Sequence, residues 1–214
     1  MTRITGAFTR PLVLVSATGI LALALTACSA ETASAPTSVP EATAATAQAE
    51  SATATEILAA AGLSDMDARE AIDTLDALDK EDRPTELMAS IRPNELVLTA
   101  GDGSEASLPM PEDEFYVSIA PYEDATHECY FHSLTTCTGE MQGAELDVLV
   151  TDTVTGEAVI DTAMQAYDNG FVGLWLPRDG SFTVSIEHDG KTATQELSTS
   201  EDDDATCVTT MQLS

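Results

Sequence analysis

The chain has 214 residues, of which 37 are acidic and 8 are basic, and its formal charge at neutral pH is −29. Such a charge argues against nucleic acid and anionic lipid headgroups as partners, because both are polyanions; it leaves cations and basic protein faces. The length suits one folded domain or two small ones.

The N-terminus predicts export and a lipid anchor. Arg3 and Arg10 precede an apolar run, residues 12–25, that is too short to span a membrane comfortably. The run leads into Leu-Thr-Ala and Cys28, the pattern of a bacterial lipobox, in which the cysteine becomes the lipidated first residue. An ordinary secretory signal with an incidental cysteine is the alternative. We predict a signal peptide over residues 1–27 and an extracytoplasmic protein tethered through Cys28 to the outer face of the bacterial cell membrane.

Residues 28–55 predict a disordered tether. They are rich in Ala, Thr, Ser, Glu and Pro and contain no aromatic residue, so they cannot bury enough apolar surface to fold. Cleavage before Cys28 removes two arginines and no acidic residue, which leaves 6 basic residues against 37 acidic ones and a formal charge of −31. The mature protein is therefore expected to be strongly acidic and held on a spacer.

Residues 56–120 predict a small α+β domain. A short helix over residues 56–61 ends at a glycine, and Ser64 is expected to cap a second helix with apolar residues at helical spacing. This apolar face is expected to lie in the core or to seat a partner helix in a homodimer. Four short strands follow, with a Gly-Asp-Gly turn between the second and the third; they are predicted over residues 86–91, 95–99, 105–108 and 114–119.

Residues 121–214 predict an all-β, sandwich-like domain, so the fold class is α+β. Trp175 is expected in the core in preference to a ligand-binding wall, and His188, beside an Asp-Gly turn, is expected at the surface. The strands are separated by turn residues and are predicted over residues 144–151, 158–162, 170–177, 181–188 and 191–197.

The sulfur and imidazole donors cluster in this second region. Setting aside the lipidated cysteine leaves Cys129, Cys137 and Cys207, an odd number. In an oxidising compartment one thiol must stay free, pair between chains or bind something. One interpretation is a Cys129–Cys137 disulfide with Cys207 buried and inert; the other is a soft-metal site made by all three sulfurs. The cysteines alone leave both open.

Two histidines favour the metal site. His127 precedes Cys129 by two residues, which places both on one face of an extended segment, and His132 follows three residues later. Thiolate and imidazole donors suit Cu(I) and Zn(II), and a thiolate-dominated site favours Cu(I). Met211 offers a thioether near Cys207 but is expected to pack in the core.

The charge pattern argues against a reactive thiol. Residues 93–177 contain no lysine or arginine, whereas a nucleophilic cysteine needs nearby positive charge to lower its pKa. Acidic neighbours in sequence, such as Glu128 and Glu140, would oppose thiolate formation, and a bound cation would offset them. No Cys-x-x-Cys motif is present. A metal site is therefore favoured over a thiol–disulfide enzyme.

Four segments together resemble the CueP family of extracytoplasmic bacterial copper-binding proteins. They are residues 115–122, 127–140, 169–177 and 206–211, and the similarity extends over about residues 56–213. The resemblance implies a Cu(I)-binding protein that sequesters copper and passes it to partner proteins. It also implies dimerisation through the N-terminal domain, consistent with the apolar helix face.

The same resemblance implies a metal site built from three cysteines, which fall on Cys129, Cys137 and Cys207, with the family histidines at His127 and His132. The lipobox and tether depart from a freely soluble family member and suggest a stationary copper trap or relay. The expected partners are copper, with Zn(II) as the second metal, and copper donor or acceptor proteins. A redox enzyme using the same cysteines and a disulfide-stabilised ligand-binding lipoprotein are the alternatives.

Overall fold

The computed structural model describes residues 53–214. The predicted signal peptide, the lipidation site at Cys28 and nearly all of the predicted tether lie outside the described residues. Residues 53–60 form a helix, α1, so the last three residues of the predicted tether are helical. A second helix, α2, spans Ala68–Asp76, and one turn of 3-10 helix spans Lys80–Asp82. Within the described range no helix is long and apolar enough to cross a membrane.

Ten strands follow the helices in the part of the chain that the structure describes. They are β1 (Leu87–Ile91), β2 (Glu95–Ala100), β3 (Glu105–Pro109), β4 (Glu114–Ile119), β5 (Glu145–Asp152), β6 (Ala158–Gln165), β7 (Val172–Pro177), β8 (Ser181–His188), β9 (Lys191–Ser198) and β10 (Cys207–Val208).

Helix α2 begins at a reciprocal cap. The Asp67 side chain accepts a hydrogen bond from Glu70 N, and the Glu70 carboxylate accepts one from Asp67 N. Two backbone donors at the helix end are thereby satisfied. The prediction that Ser64 caps this helix was wrong. Asp65 has a left-handed backbone conformation (φ 62°) that turns the chain before the helix starts, and the cap is Asp67.

The apolar face of α2 is covered within the chain. Ala68, Ala71, Ile72 and Leu75 are at most 2% exposed and pack in one core with α1 and the β1–β3 sheet. The expected position of this face in the core is confirmed, so the face is not exposed to seat a partner helix, and the homodimer stays a prediction.

The strands form three sheets. Strands β1, β2 and β3 make an antiparallel sheet, β4 lies between β7 and β10, and the third sheet has the order β6-β5-β8-β9. The middle sheet is buried on both sides. Phe115 and Val117 of β4 belong to the core shared with the four-stranded sheet, whereas Tyr116 belongs to the core formed with α2. Helices on one side and a β-sandwich on the other confirm the α+β class.

Candidate metal centre

The loop between β4 and β5 carries most of the donors and is held against the edge of β1. Ile91 N donates to His132 O at 2.8 Å, and Leu134 N donates to Ala89 O at 2.9 Å. The Leu134 side chain is fully buried in the core that contains α2. Backbone pairing and one apolar anchor therefore fix the middle of a loop that has no regular secondary structure.

Strand β10 brings the third cysteine to this loop. It runs parallel to β4, and Thr206 beside it joins three segments: its Oγ1 donates to Ile91 O at 2.8 Å and accepts from His132 N at 3.0 Å. Thr206 N and Cys207 N both donate to Tyr130 O. These bonds place Cys207 next to a histidine 75 residues earlier in the chain.

Cys129 and Cys207 form a disulfide, and Cys137 is the free cysteine of the described residues. The alternative with a Cys129–Cys137 disulfide and an inert Cys207 was therefore wrong. Pairing of Tyr130 with the start of β10 leaves the Cα atoms of Cys129 and Cys207 5.7 Å apart. Cys137 ends a turn, its N–H bonded to Ser133 O, with its Sγ 3.6 Å from Cys129 Sγ.

The His132 imidazole is completely buried between a carboxylate and the sulfurs. Its Nε2 lies 3.0 Å from Asp76 Oδ1 and its Nδ1 lies 3.7 Å from Cys207 Sγ. Burial alone would lower the pKa of His132, but the adjacent Asp76 carboxylate raises that pKa to about 9. Because an ionised carboxylate only accepts, Nε2 carries the hydrogen and Nδ1 faces the sulfur cluster.

Asp76 contacts the cluster and was missed by the sequence analysis. Its carboxylate is 0% exposed and accepts hydrogen bonds from Tyr116 OH (2.7 Å), Ser118 Oγ (3.0 Å) and Asn169 Nδ2 (2.7 Å), in addition to its contact with His132. Burial would raise the pKa of Asp76, but His132 and these hydrogen bonds hold it below its usual value. The available signal was its position four residues after Ile72, on the apolar face of α2.

The surroundings of Cys137 contain positive charge. Arg83 Nη1 donates to Cys137 O at 2.9 Å, and Ser133 N donates to the Cys137 sulfur at 3.4 Å. Burial raises the pKa of Cys137, but His132, the Ser133 N–H and Arg83 together lower it below its ordinary value. The inference that acidic sequence neighbours oppose this thiolate was wrong, since the fold places His132, and an arginine from 54 residues upstream, close to Cys137.

Glu140, one of those acidic residues, is engaged in shaping the loop. Its carboxylate accepts hydrogen bonds from the backbone N–H groups of Glu123, Asp124 and Ala125, which hold its pKa below the usual value. The preceding glycine, Gly139, approaches Gly170 closely, and its N–H donates to Asn169 O at 2.6 Å. These contacts fix the chain that follows Cys137.

All five predicted ligand residues lie in one cluster. The donor atoms of His127, Cys129 and Cys137 are within 4.8 Å of one another, and so are those of His132, Cys137 and Cys207. Phe171 and Ala120 form an apolar wall beside the sulfurs. Once the disulfide is reduced, three thiols and a held imidazole converge there, a donor set that fits a soft, thiophilic metal ion.

The other residues that the sequence singled out lie elsewhere. Trp175 packs on Tyr116, with ring centroids 4.8 Å apart, and donates to Asp73; it is partly buried at the margin of the core that contains α2, outside the sulfur cluster. Met211 is 2% exposed in the sandwich core and supplies packing. His188 donates through Nδ1 to Glu145 O, outside the cluster.

The fold and the cluster together define an α+β protein with a sulfur- and imidazole-rich centre between a loop and a short parallel strand. Residues 70–212 match the family model described as "Periplasmic copper-binding protein CueP". The chain belongs to the CueP family, which confirms the resemblance.

One solved structure, "Crystal Structure of S.CueP", is 40% identical to this chain. The alignment covers 75% of this chain and 96% of that one, with a TM-score of 0.69. No curated protein matches the chain. Membership of the family supports copper binding and an extracytoplasmic location.

Proposed function

We propose that this protein is a lipid-anchored, extracytoplasmic Cu(I)-binding protein that sequesters or relays copper through Cys129, Cys137 and Cys207. The convergence of these three sulfurs with the His132 imidazole is the observation that supports the proposal. Thiolates are soft ligands that favour Cu(I), and a sulfur-rich site retains the cuprous state. Zn(II) is the second metal that the same donors would accept.

The environment of the cluster supports a small cation. Thiolates in a poorly solvated site need compensating positive charge, and a bound metal ion supplies it directly to the sulfur atoms. The acidic surface of the chain attracts cations over a longer range. In the disulfide form Cys137 is the one free thiol of these three cysteines, so the three-thiolate site requires prior reduction of Cys129–Cys207 by two electrons and two protons.

The proposal is tested by anaerobic titration of the reduced protein with Cu(I) against a chromophoric chelator. The protein without its signal peptide and with Cys28→Ser is expected to withdraw one Cu(I) from the chelator. The additional change of all three remaining cysteines to Ser is expected to abolish that competition. Equal competition by the triple variant would contradict the proposal, and preferential retention of Zn(II) would identify the second metal.

The lipid anchor has a separate test in the cell. Metabolic labelling with palmitate is expected to mark the full-length protein and not the Cys28→Ser variant, which should be released from the membrane fraction. A labelled anchor would make the protein a stationary trap or relay. Release of the unmodified protein would leave the copper site intact but contradict the anchoring.

A thiol–disulfide redox enzyme is the second candidate. It is favoured by one observation: the free Cys137 thiol, with its lowered pKa, lies 3.6 Å from a sulfur of the Cys129–Cys207 disulfide. A thiolate so placed can attack a disulfide. Catalytic turnover of a disulfide substrate with glutathione, lost in Cys137→Ser, would support this function; stoichiometric reaction alone would not.

A further inference from the structure

The five donors form two overlapping sets that share Cys137. One set, here called the outer set, consists of His127, Cys129 and Cys137, and none of these side chains is fully buried. The inner set consists of His132, Cys137 and Cys207; His132 is 0% exposed and Cys207 is 2% exposed. A metal ion arriving from solvent therefore meets the outer set first.

The two histidines are held in different ways. His132 is fixed by its bond to Asp76 and by contact with Phe171, the ring centroids 4.6 Å apart. His127 has only an edge contact with Phe171 at 6.3 Å, and its ring makes no hydrogen bond within residues 53–214. One imidazole is thus preorganised, whereas the other is free to reorient.

His127 also lies where the cluster opens to the surface. It lines a groove of about 680 Å³ together with Cys129 and Tyr130. On the side of Gly139 and Glu140 it lines a second cavity of about 310 Å³. A metal ion presented by a small chelator or by a partner protein reaches the cysteines past this imidazole.

We propose that Cu(I) is received at the outer set and then moves to the inner donors by ligand exchange. The inference rests on the proposed function. In the reduced protein the sulfurs of Cys129 and Cys137 keep their bonds to the metal. The bond to His127 breaks as bonds to Cys207 Sγ and His132 Nδ1 form, and the protons displaced from the Cys207 thiol and from His132 Nδ1 pass to solvent. Copper remains Cu(I) throughout, so no electron donor or acceptor is needed.

The scheme gives the two histidines separable roles. A ligand used only during passage stabilises the transition state and so lowers the barrier between free and bound metal. Its loss therefore slows uptake and release by the same factor. The equilibrium affinity, which is the ratio of the two rate constants, is then unchanged. Loss of a ligand of the final site instead lowers the affinity and speeds release. His127 is assigned the first behaviour and His132 the second.

The test is stopped-flow transfer of Cu(I) from a chromophoric chelator complex to the reduced protein, and back to excess chelator, under anaerobic conditions. All proteins lack the signal peptide and carry Cys28→Ser. The variants are His127→Asn and His132→Asn, with His188→Asn as the matched control because that histidine bonds Glu145 O outside the cluster. Circular dichroism monitors folding of the buried-histidine variant.

For His127→Asn we expect both rate constants to fall about tenfold, the effect of about 1.4 kcal/mol on a barrier, with the affinity unchanged. The control is expected to match the parent. Unaltered rates in His127→Asn would overturn the inference, as would a loss of affinity accompanied by faster release. These results concern His127 alone, so they stand if His132→Asn does not fold. Failure of the parent protein to take Cu(I) from the chelator would instead contradict the proposed function itself.

Discussion

Asp76 Oδ1 lies 3.0 Å from His132 Nε2, and both side chains are completely buried. This pair joins the last turn of α2 to the loop that carries the cysteines. A carboxylate and an imidazolium lose much hydration energy on burial, and the loss is offset only when their remaining hydrogen-bonding capacity is used. The side chains of Tyr116, Ser118 and Asn169 donate hydrogen bonds to the Asp76 carboxylate. The pair is therefore held in a fixed position.

Replacing Asp76 by Asn is expected to weaken metal binding without removing a ligand. The neutral amide no longer holds Nε2–H firmly, and loss of such an outer partner typically lowers metal affinity by about 10–100-fold. Chelator competition measures this change in the reduced protein. The exposed Asp79→Asn is the control, because that side chain makes no cap hydrogen bond. Full affinity in Asp76→Asn would contradict a positioning role.

The metal-free protein is expected to lose stability as the pH rises from about 6.5 to about 9. Asp76 raises the pKa of His132 to about 9 in the folded state, against an ordinary value of 6.5. A raised pKa contributes stability that is complete below the unfolded value and disappears through the folded value. Asp76 acts in the opposite direction: its pKa is lowered, so its contribution is lost in acid.

Urea unfolding at several pH values tests this dependence. The measurement is made in a Cys137→Ser background, because the lowered pKa of that thiol gives an alkaline contribution of opposite sign. The further change His132→Gln is expected to flatten the free energy of unfolding between pH 6.5 and 9. A slope that persists in this variant would assign the effect to another group.

Removing the charge of Arg83 is expected to slow the reaction of Cys137 with iodoacetamide. The guanidinium donates to Cys137 O and, together with His132 and the Ser133 N–H, lowers the pKa of the thiol, and alkylation proceeds through the thiolate. Arg83→Gln should therefore show a severalfold lower rate at neutral pH, measured by mass spectrometry on the oxidised protein. Arg92→Gln, which alters an arginine stacked on Phe131, is the matched control. Equal rates in all three proteins would leave His132 as the dominant cause.

Disulfide mapping is expected to find Cys129 linked to Cys207 in the oxidised protein, with Cys137 open to alkylation. Full reduction should then expose three thiols in a protein that carries Cys28→Ser. Peptide mass spectrometry after alkylation under denaturing conditions distinguishes the linkages. A Cys129–Cys137 peptide in the native, oxidised protein would contradict the assigned pairing.

Gly170→Ala is expected to destabilise the protein by about 1–3 kcal/mol, the range for a strained backbone position. Gly170 has φ +81°, and a Cβ there would lie 2.5 Å from Gly139 O. Gly143→Ala is the matched control, because Gly143 also has positive φ (+68°) but its Cβ would meet nothing within 4 Å. The extra loss in Gly170→Ala measures the close approach of the two loops; equal losses would show that this approach is unimportant.

The strand pattern was predictable because alternation and turn residues are local signals. Strands β4 and β8 have the predicted bounds, and the other long strands differ by a few residues at their ends. Strand β10 was not predicted, since it is a two-residue parallel pairing whose partner lies about 90 residues away in the sequence. Local periodicity carries no information about such a partner.

The clustering of the predicted ligands could be predicted because cysteine and histidine are rare in this chain. The contacts of the residues that support them could not. Five soft donors in an otherwise acidic, thiol-poor chain stood out in the sequence, and the fold brings all five together. The position of Asp76 on the apolar face of α2 indicated burial, and Arg83 gave no signal; the partners of both residues depend on the tertiary structure. The electrostatic potential at a thiol depends on such distant residues. The acidic residues next to Cys137 in the sequence therefore gave a wrong prediction of the sign of that potential.

The 78-residue separation between Cys129 and Cys207 has a consequence for biogenesis. The segment between them contains five strands, β5 to β9, which make up the four-stranded sheet and one strand of the middle sheet. Contacts so distant in sequence form late, because the chain between them must first be ordered. The complete donor set therefore exists only in a chain whose sandwich has assembled, and metal held by all three sulfurs would report that maturation is finished.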